Sequence, residues 1–162
     1  MVGLSLPGAV LRKIFFVGYA AYFSGPVTGR LARLLRTVPI DQNRNLERAM
    51  PAASEGLRRR MVLGLCPEGA RSTDGTLQEF RRGVAILARI HEVPVVPVGI
   101  WGSYQMWPRE GRFRPHRLAV AFGPPIEPPR TRDQELDFLL RLRGAVAELT
   151  EQARSEFEQD RP

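Results

Sequence analysis

Short apolar runs alternate along this chain with stretches of helical periodicity. Lys13-Ile-Phe-Phe-Val-Gly18 and Val38-Pro-Ile40 are short and β-rich, and each predicts a strand. Between them Ser24-Gly-Pro26 breaks the chain, its proline placed to open a helix on which Leu31, Leu34 and Leu35 share a face. Asn45 predicts the cap of a helix to about Arg60, with Leu46, Ala49, Ala53 and Leu57 on one stripe and a kink or restart at Pro51. Met61 to Cys66 is almost wholly apolar and predicts a strand buried on both faces, as in a largely parallel sheet. Thr73-Asp-Gly75 is a turn, and a helix follows from about Arg81 to His91 with Val84, Leu87 and Ala88 inward. Val93 to Ile100 predicts a strand in which Pro97 removes a ladder donor and demands an edge or a bulge. Leu118 to Phe122 is a last strand. Thr131 with Gln134 has the form of a capping box ahead of a long helix carrying Leu139, Leu142, Val146, Leu149 and Phe157. Strands alternating with helices predict an α/β fold, a single domain with a mostly parallel or mixed sheet flanked by helices.

The candidate chemistry lies in the turn after the central run, Pro67-Glu-Gly-Ala-Arg-Ser72. Pro67 and Gly69 stop the strand and force a sharp turn that carries one carboxylate, Glu68, and one guanidinium, Arg71. Open α/β sheets bind ligands past the carboxyl ends of their strands, and Arg grips phosphate through two parallel hydrogen bonds. Two readings stand at this point: a phosphate-recognition turn, or a surface loop with a local Glu–Arg ion pair. Arg81 and Arg82 at the start of the next helix run against the sense of its dipole, and backbone N–H groups beside them would suit an anion. Glu79 offers a local counter-charge instead. Trp101, Tyr104, Met106 and Trp107 form an aromatic-rich segment suited to an apolar groove, a membrane interface or ordinary core packing. Arg109, Arg112, Arg114 and Arg117 follow as a basic loop, while Arg58-Arg-Arg60 reads as a solvated helix end.

Composition narrows the partners. The 162 residues carry a net charge of +7, and Lys13 is the only lysine. This balance favours anionic partners such as phosphorylated metabolites, acidic lipid headgroups or nucleic acid. No nucleic-acid motif accompanies it, so nucleic acid is not an expected partner. Cys66 is the single cysteine, which rules out an intrachain disulfide and a thiolate metal cluster. Inside a buried strand it would serve as a small apolar residue. No apolar run approaches the roughly 18–20 residues of a membrane span.

Three blocks taken together, Cys66-Pro-Glu-Gly-Ala-Arg-Ser72, Phe80-Arg-Arg-Gly83 and Val93-Pro-Val-Val-Pro-Val-Gly-Ile100, resemble the glycerophospholipid acyltransferase family, the lysophosphatidate (1-acyl-glycerol-3-phosphate) acyltransferases. The first is similar to the family's Phe-Pro-Glu-Gly-Thr-Arg-Ser block, with Cys66 for Phe and Ala70 for Thr. The last is similar to its Val-Pro-Ile-Val-Pro-Val block, and the resemblance covers most of residues 12–126. It implies a glycerol-3-phosphate acyltransferase-like fold, with the acyltransferase domain over residues 1–128 and a helix over 129–162 packed on it. It also implies that Glu68, Gly69, Arg71 and Ser72 hold the acceptor, Arg71 against the phosphate and Glu68 against a hydroxyl. Thr37 to Arg44 is similar to a further block that ends in a substrate-binding arginine, here Arg44, although Thr37 stands where glycine is usual. Arg81, Arg82 and Pro97 are the candidates for an anion or acyl groove.

The implied activity is acyl transfer from a CoA or acyl-carrier-protein thioester to a lysophosphatidate-type acceptor in phospholipid synthesis. It needs no metal and no cofactor beyond the thioester co-substrate, and it belongs at the cytoplasmic, inner face of a membrane as a peripheral activity. A non-catalytic domain that binds lysophospholipid or anionic membrane is the alternative. The family's His-x-x-x-x-Asp motif supplies a base, a role suited to imidazole. This chain has two histidines, and neither forms the motif: Val96 stands where the Asp would follow His91, and Ala121 where it would follow His116. Both read as structural or solvated. The family places the motif ahead of the Phe-Phe-Val-Gly type strand, which would fall before Met1. With no helix cap or polar lead-in over Met1 to Pro7, the expectation is a chain that starts inside the acyltransferase domain and lacks the catalytic pair.

Overall fold

The computed structural model describes residues 8, 12–19, 30, 36–40, 46–109 and 111–159. The chain divides into two compact units, residues 1–65 and 66–162.

In the first unit β1 (Ile14–Tyr19) lies between β2 (Thr37–Ile40) and β3 (Val62–Gly64), all parallel. Parallel strands of one sheet require a crossover, and α1 (Leu46–Arg58) lies in the connection between β2 and β3, which flank β1 on either side. This helix runs through Pro51 without restarting, with one rung of its ladder left open where the proline lacks an N–H. Its inner face is cut small by Ala53 and Gly56 so that the buried Phe15 ring of β1 can press on it. A Cβ on Gly56 would stand 2.2 Å from that ring. The expected strand from Met61 to Cys66 is shorter than its apolar run and not buried on both faces. Pairing with β1 ends at Gly64, Val62 is exposed, and Cys66 lies beyond the strand, also exposed. The helix expected after Pro26 lies outside the described residues, apart from Arg30.

The second unit contains α2 (Gly83–His91), β4 (Val98–Trp101), α3 (Ser103–Met106), β5 (Ala119–Phe122) and α4 (Glu135–Gln159). β4 and β5 pair antiparallel. Upstream of β4 only Val95 joins a bridge, exchanging hydrogen bonds with Ile126, and regular pairing begins just after Pro97. Pro97 is fully buried, and its carbonyl accepts from the Gly123 N–H. α4 packs across β4 and β5, with Leu149 and Ala153 against Ala121 and the Phe157 ring 4.6 Å from that of Trp101. Gly99 permits the close approach: a Cβ there would sit 2.3 Å from the Leu149 carbonyl carbon. The helix begins four residues after the expected cap at Thr131, and the Gln134 side chain accepts from the Arg130 N–H. Parallel strands, an antiparallel pair and flanking helices make this an α/β fold. Among the described residues no helix is long and apolar enough to cross a membrane.

Candidate functional site

The turn after β3 is built by its backbone. Gly69 N–H donates to the Cys66 carbonyl at 3.2 Å, and Gly69 takes a left-handed conformation (φ 73°) that favours glycine. The segment Phe80–Gly83 docks on this turn. Arg81 N–H donates to the Pro67 carbonyl at 2.8 Å, and the Arg81 side chain lies so close to Gly69 that a Cβ there would stand 2.7 Å from its Nε. Two of the sequence blocks, Cys66–Ser72 and Phe80–Gly83, thus meet across a single glycine.

Between them opens a cleft of about 610 Å³, lined by Glu68, Arg71, Arg81 and Arg109, with Thr73, Gln78 and Glu79 among its other walls. That volume falls within the range of small-molecule sites. Glu68 Oε2 accepts from the Gln78 N–H at 2.8 Å, which orients the carboxylate. Arg71 is held from two sides. One of its terminal nitrogens donates to the Arg109 carbonyl at 3.2 Å, and its guanidinium carbon lies 5.0 Å from the centroid of the Trp107 ring. Three guanidinium groups against two carboxylates, Glu68 and Glu79, leave the walls net positive.

Other expected residues lie elsewhere. The Ser72 hydroxyl donates to Asp74 Oδ1 at 3.0 Å and accepts from the Gly75 N–H at 2.9 Å, so it closes the loop and does not line the cleft. Asp74 also accepts from the Thr76 N–H and hydroxyl, and these bonds, with the one from Ser72, hold its carboxyl below the usual range. Arg82 is not among the residues lining the cleft and pairs with the buried Glu135 at 2.8 Å. Pro97 is fully buried and is not among the residues lining this cleft. Arg44 lies outside the described residues. His116 packs edge-on to Trp101 and stacks on Phe157, and its Nδ1 is 2.7 Å from the Arg117 carbonyl, a structural setting. Cys66 is exposed as a residue, yet packing around its sulfur, and then the Glu68 carboxylate, push its thiol pKa up.

Four contributions escaped the sequence reading: Gln78, the carbonyl of Arg109, the ring of Trp107, and Arg143 of α4. Arg143 Nε donates to the Gln78 carbonyl at 3.1 Å, and a terminal nitrogen donates to that of Leu77 at 2.9 Å. The aromatic density of residues 101–107 was the one available signal, for Trp107. The Arg143 contact spans 65 residues and leaves no local trace.

Comparison with known proteins gives this cleft a family context. A 1-acyl-sn-glycerol-3-phosphate acyltransferase of Limnanthes douglasii is 35% identical over 107 residues, which are 62% of this chain and 37% of that protein. One from Cocos nucifera is 25% identical over 125 residues, 75% of this chain and 41% of the relative. The chain therefore spans well under half the length of these relatives. The crystal structure of the 1-acyl-sn-glycerophosphate acyltransferase PlsC from Thermotoga maritima superposes with a TM-score of 0.63 at 27% identity, covering 85% of this chain and 56% of that one. The Acyltransferase family model matches residues 3–101, which include the turn after β3, the Arg81 segment and α2, and on that match the chain belongs to the Acyltransferase family.

Proposed function

We propose that this chain binds the phosphate headgroup of a lysophosphatidate-type acceptor for acyl transfer from a CoA or acyl-carrier-protein thioester. The observation that carries this reading is the placement of Arg71, which lines the cleft while the Trp107 ring and the Arg109 carbonyl hold its guanidinium. Arg71 takes the phosphate, with Arg81 and Arg109 adding positive charge, because planar guanidinium groups match phosphate oxygens in pairs. Glu68 has one oxygen committed to Gln78, and the ionised carboxylate can also accept from a glycerol hydroxyl. Gly69 serves by letting the Arg81 side chain lie against the turn.

Transfer forms an ester bond between the acceptor hydroxyl and the acyl carbonyl carbon. The carbon–sulfur bond breaks, the thiolate leaves, and the hydroxyl proton passes to a base. The residues assigned here bind and orient the acceptor, and none of them is that base. The names of the relatives support the same substrate class. Neither a metal nor a further cofactor enters this chemistry, and the protein works as a peripheral protein at the cytoplasmic face of a membrane.

The test presents the purified chain with acyl thioester and lysophosphatidate, following both binding and product. Saturable acceptor binding that is lost in Arg71→Ala supports the reading, and binding indifferent to Arg71 refutes it. Binding without turnover would make the chain a headgroup-binding module, the role consistent with two histidines that both stand outside a His-x-x-x-x-Asp motif.

A further inference from the structure

We propose that the loop from Met106 to Arg114 is the surface through which this chain docks on an anionic bilayer, seating two aromatic rings at headgroup level beside the mouth of the cleft. The loop is pinched at its base, where the Arg114 N–H donates to the Met106 carbonyl at 2.8 Å, and it turns tightly where the Gly111 N–H donates to that of Pro108 at 3.2 Å. This closure brings Trp107 and Phe113 together edge to face, with ring centroids 6.2 Å apart. At 49% and 59% exposure they are the two most exposed aromatic residues among the described residues. Arg109, Arg112 and Arg114 are exposed around them, and the only acidic residue between Trp107 and Arg117 is Glu110.

Each feature has a defined match in a bilayer. The Trp107 indole, a ring with a polar N–H edge, suits the boundary between headgroups and acyl chains. The Phe113 ring adds apolar surface on its acyl side, and guanidinium groups beside them pair with anionic lipid phosphates. Single-stranded nucleic acid also binds aromatic and basic surfaces, but it stacks bases on open ring faces. Here one face of Trp107 already carries the Arg71 guanidinium. The same contact joins docking to the cleft, since Arg71 lines the cleft and Arg109 belongs to both the loop and the cleft wall. An acceptor that resides in the membrane would meet its phosphate site at the plane where its own headgroup lies. In that sense the proposal rests on the headgroup-binding reading, although the docking itself is measured separately.

The test uses the full chain with vesicles of phosphatidylcholine alone and with mixed phosphatidylcholine–phosphatidylglycerol vesicles. The chain sediments with the mixed vesicles, less so near 1 M salt, where the screening length falls to about 3 Å. Phe113→Ser weakens partitioning about ten-fold. The double variant Arg112→Ser/Arg114→Ser, which leaves the aromatic pair intact, weakens it about 25-fold, from roughly five-fold per arginine. In Trp101→Phe, where Trp107 is the one remaining tryptophan, its emission shifts to the blue on mixed vesicles and is quenched by brominated lipid. Equal partitioning of these loop variants and the parent, equal binding to neutral vesicles, or an unquenched Trp107 would each overturn the proposal. Glycerol 3-phosphate titrated calorimetrically without vesicles separates the two readings. If Arg71→Ala leaves that binding intact, the headgroup site fails while the docking result stands, and loop variants that bind glycerol 3-phosphate normally but ignore vesicles confine their defect to docking.

Discussion

The Arg71 guanidinium packs on Trp107, 5.0 Å from the ring centroid, while donating 3.2 Å to the carbonyl of Arg109. A side chain with four rotatable bonds is thereby narrowed to one direction before any ligand arrives. Arg71→Ala removes a charge-assisted contact and is expected to weaken glycerol 3-phosphate binding about 30-fold. Lysine there keeps the charge without the paired geometry and restores only part of the loss. Trp107→Ala leaves the guanidinium present but less constrained, with a loss of about three-fold that Trp107→Tyr largely recovers. Calorimetric titration of the four proteins checks the order.

Arg143 acts on the same cleft from behind. It donates to the carbonyls of Leu77 and Gln78, and the Gln78 N–H in turn orients Glu68. Arg143→Ala is expected to cost about 1 kcal/mol of stability and to weaken glycerol 3-phosphate binding several-fold. A stability loss with no change in that affinity would limit Arg143 to a structural role.

Two glycines make a matched pair. At Gly99 of β4 a Cβ would fall 2.3 Å from the Leu149 carbonyl carbon and 2.4 Å from the Thr150 nitrogen, both backbone atoms that cannot step aside. Gly99→Ala is expected to destabilise by about 3 kcal/mol, lowering Tm by roughly 10 °C. Gly144, on the exposed side of α4, has nothing within 4 Å of the same probe position. Gly144→Ala should stabilise by about 0.5–1 kcal/mol through helix propensity alone. Thermal melts of the two variants should move in opposite directions.

The parts of the fold that follow from local pattern were legible in the sequence: the cores of β1, β2 and β5, the helix ending at His91, and the turn at Thr73-Asp-Gly75. Reading failed where contacts made far along the chain override composition. The apolar run to Cys66 looked like one long buried strand, but the chain leaves the ladder after Gly64, although β1 itself continues to Tyr19. The turn residues of the site were visible because Pro, Gly and Arg have few other reasons to share so short a stretch. Arg82 and Ser72 were not separable from their neighbours by residue type. What separates them is a carboxylate 53 residues downstream for Arg82 and the Asp74 loop for Ser72.

Cys66 sits beside the Glu68 carboxylate, and its thiol is pushed up in pKa first by burial of the sulfur and then by that charge. The protonated thiol is a poor nucleophile, so alkylation by iodoacetamide near pH 8 should run slower than for a small-molecule thiol of ordinary pKa. Glu68→Gln removes the charge and should bring a modest acceleration at the same pH. A rate unchanged by that substitution would show that burial alone sets the thiol.

Glu135 is 1% exposed and receives hydrogen bonds from Arg82 at 2.8 Å and from Arg89 at 2.9 Å, tying α4 to α2. Burial alone would raise its pKa, but the bonds from Arg89 and then Arg82 outweigh it, and the folded value lies below the ordinary 4.5. A carboxyl whose folded pKa is depressed binds fewer protons folded than unfolded. Its stabilising contribution is therefore complete above the unfolded value and disappears as pH falls through the folded one. Glu135→Gln should cost about 2 kcal/mol at pH 7, below the full loss for a buried pair because both arginines retain access to water. The gap between parent and variant should then narrow progressively as the solution is acidified below about 4.5. Urea unfolding at a series of pH values measures it directly. A gap that stays constant down to the acid transition would mean that the loss in Glu135→Gln does not come from the charge of the carboxylate.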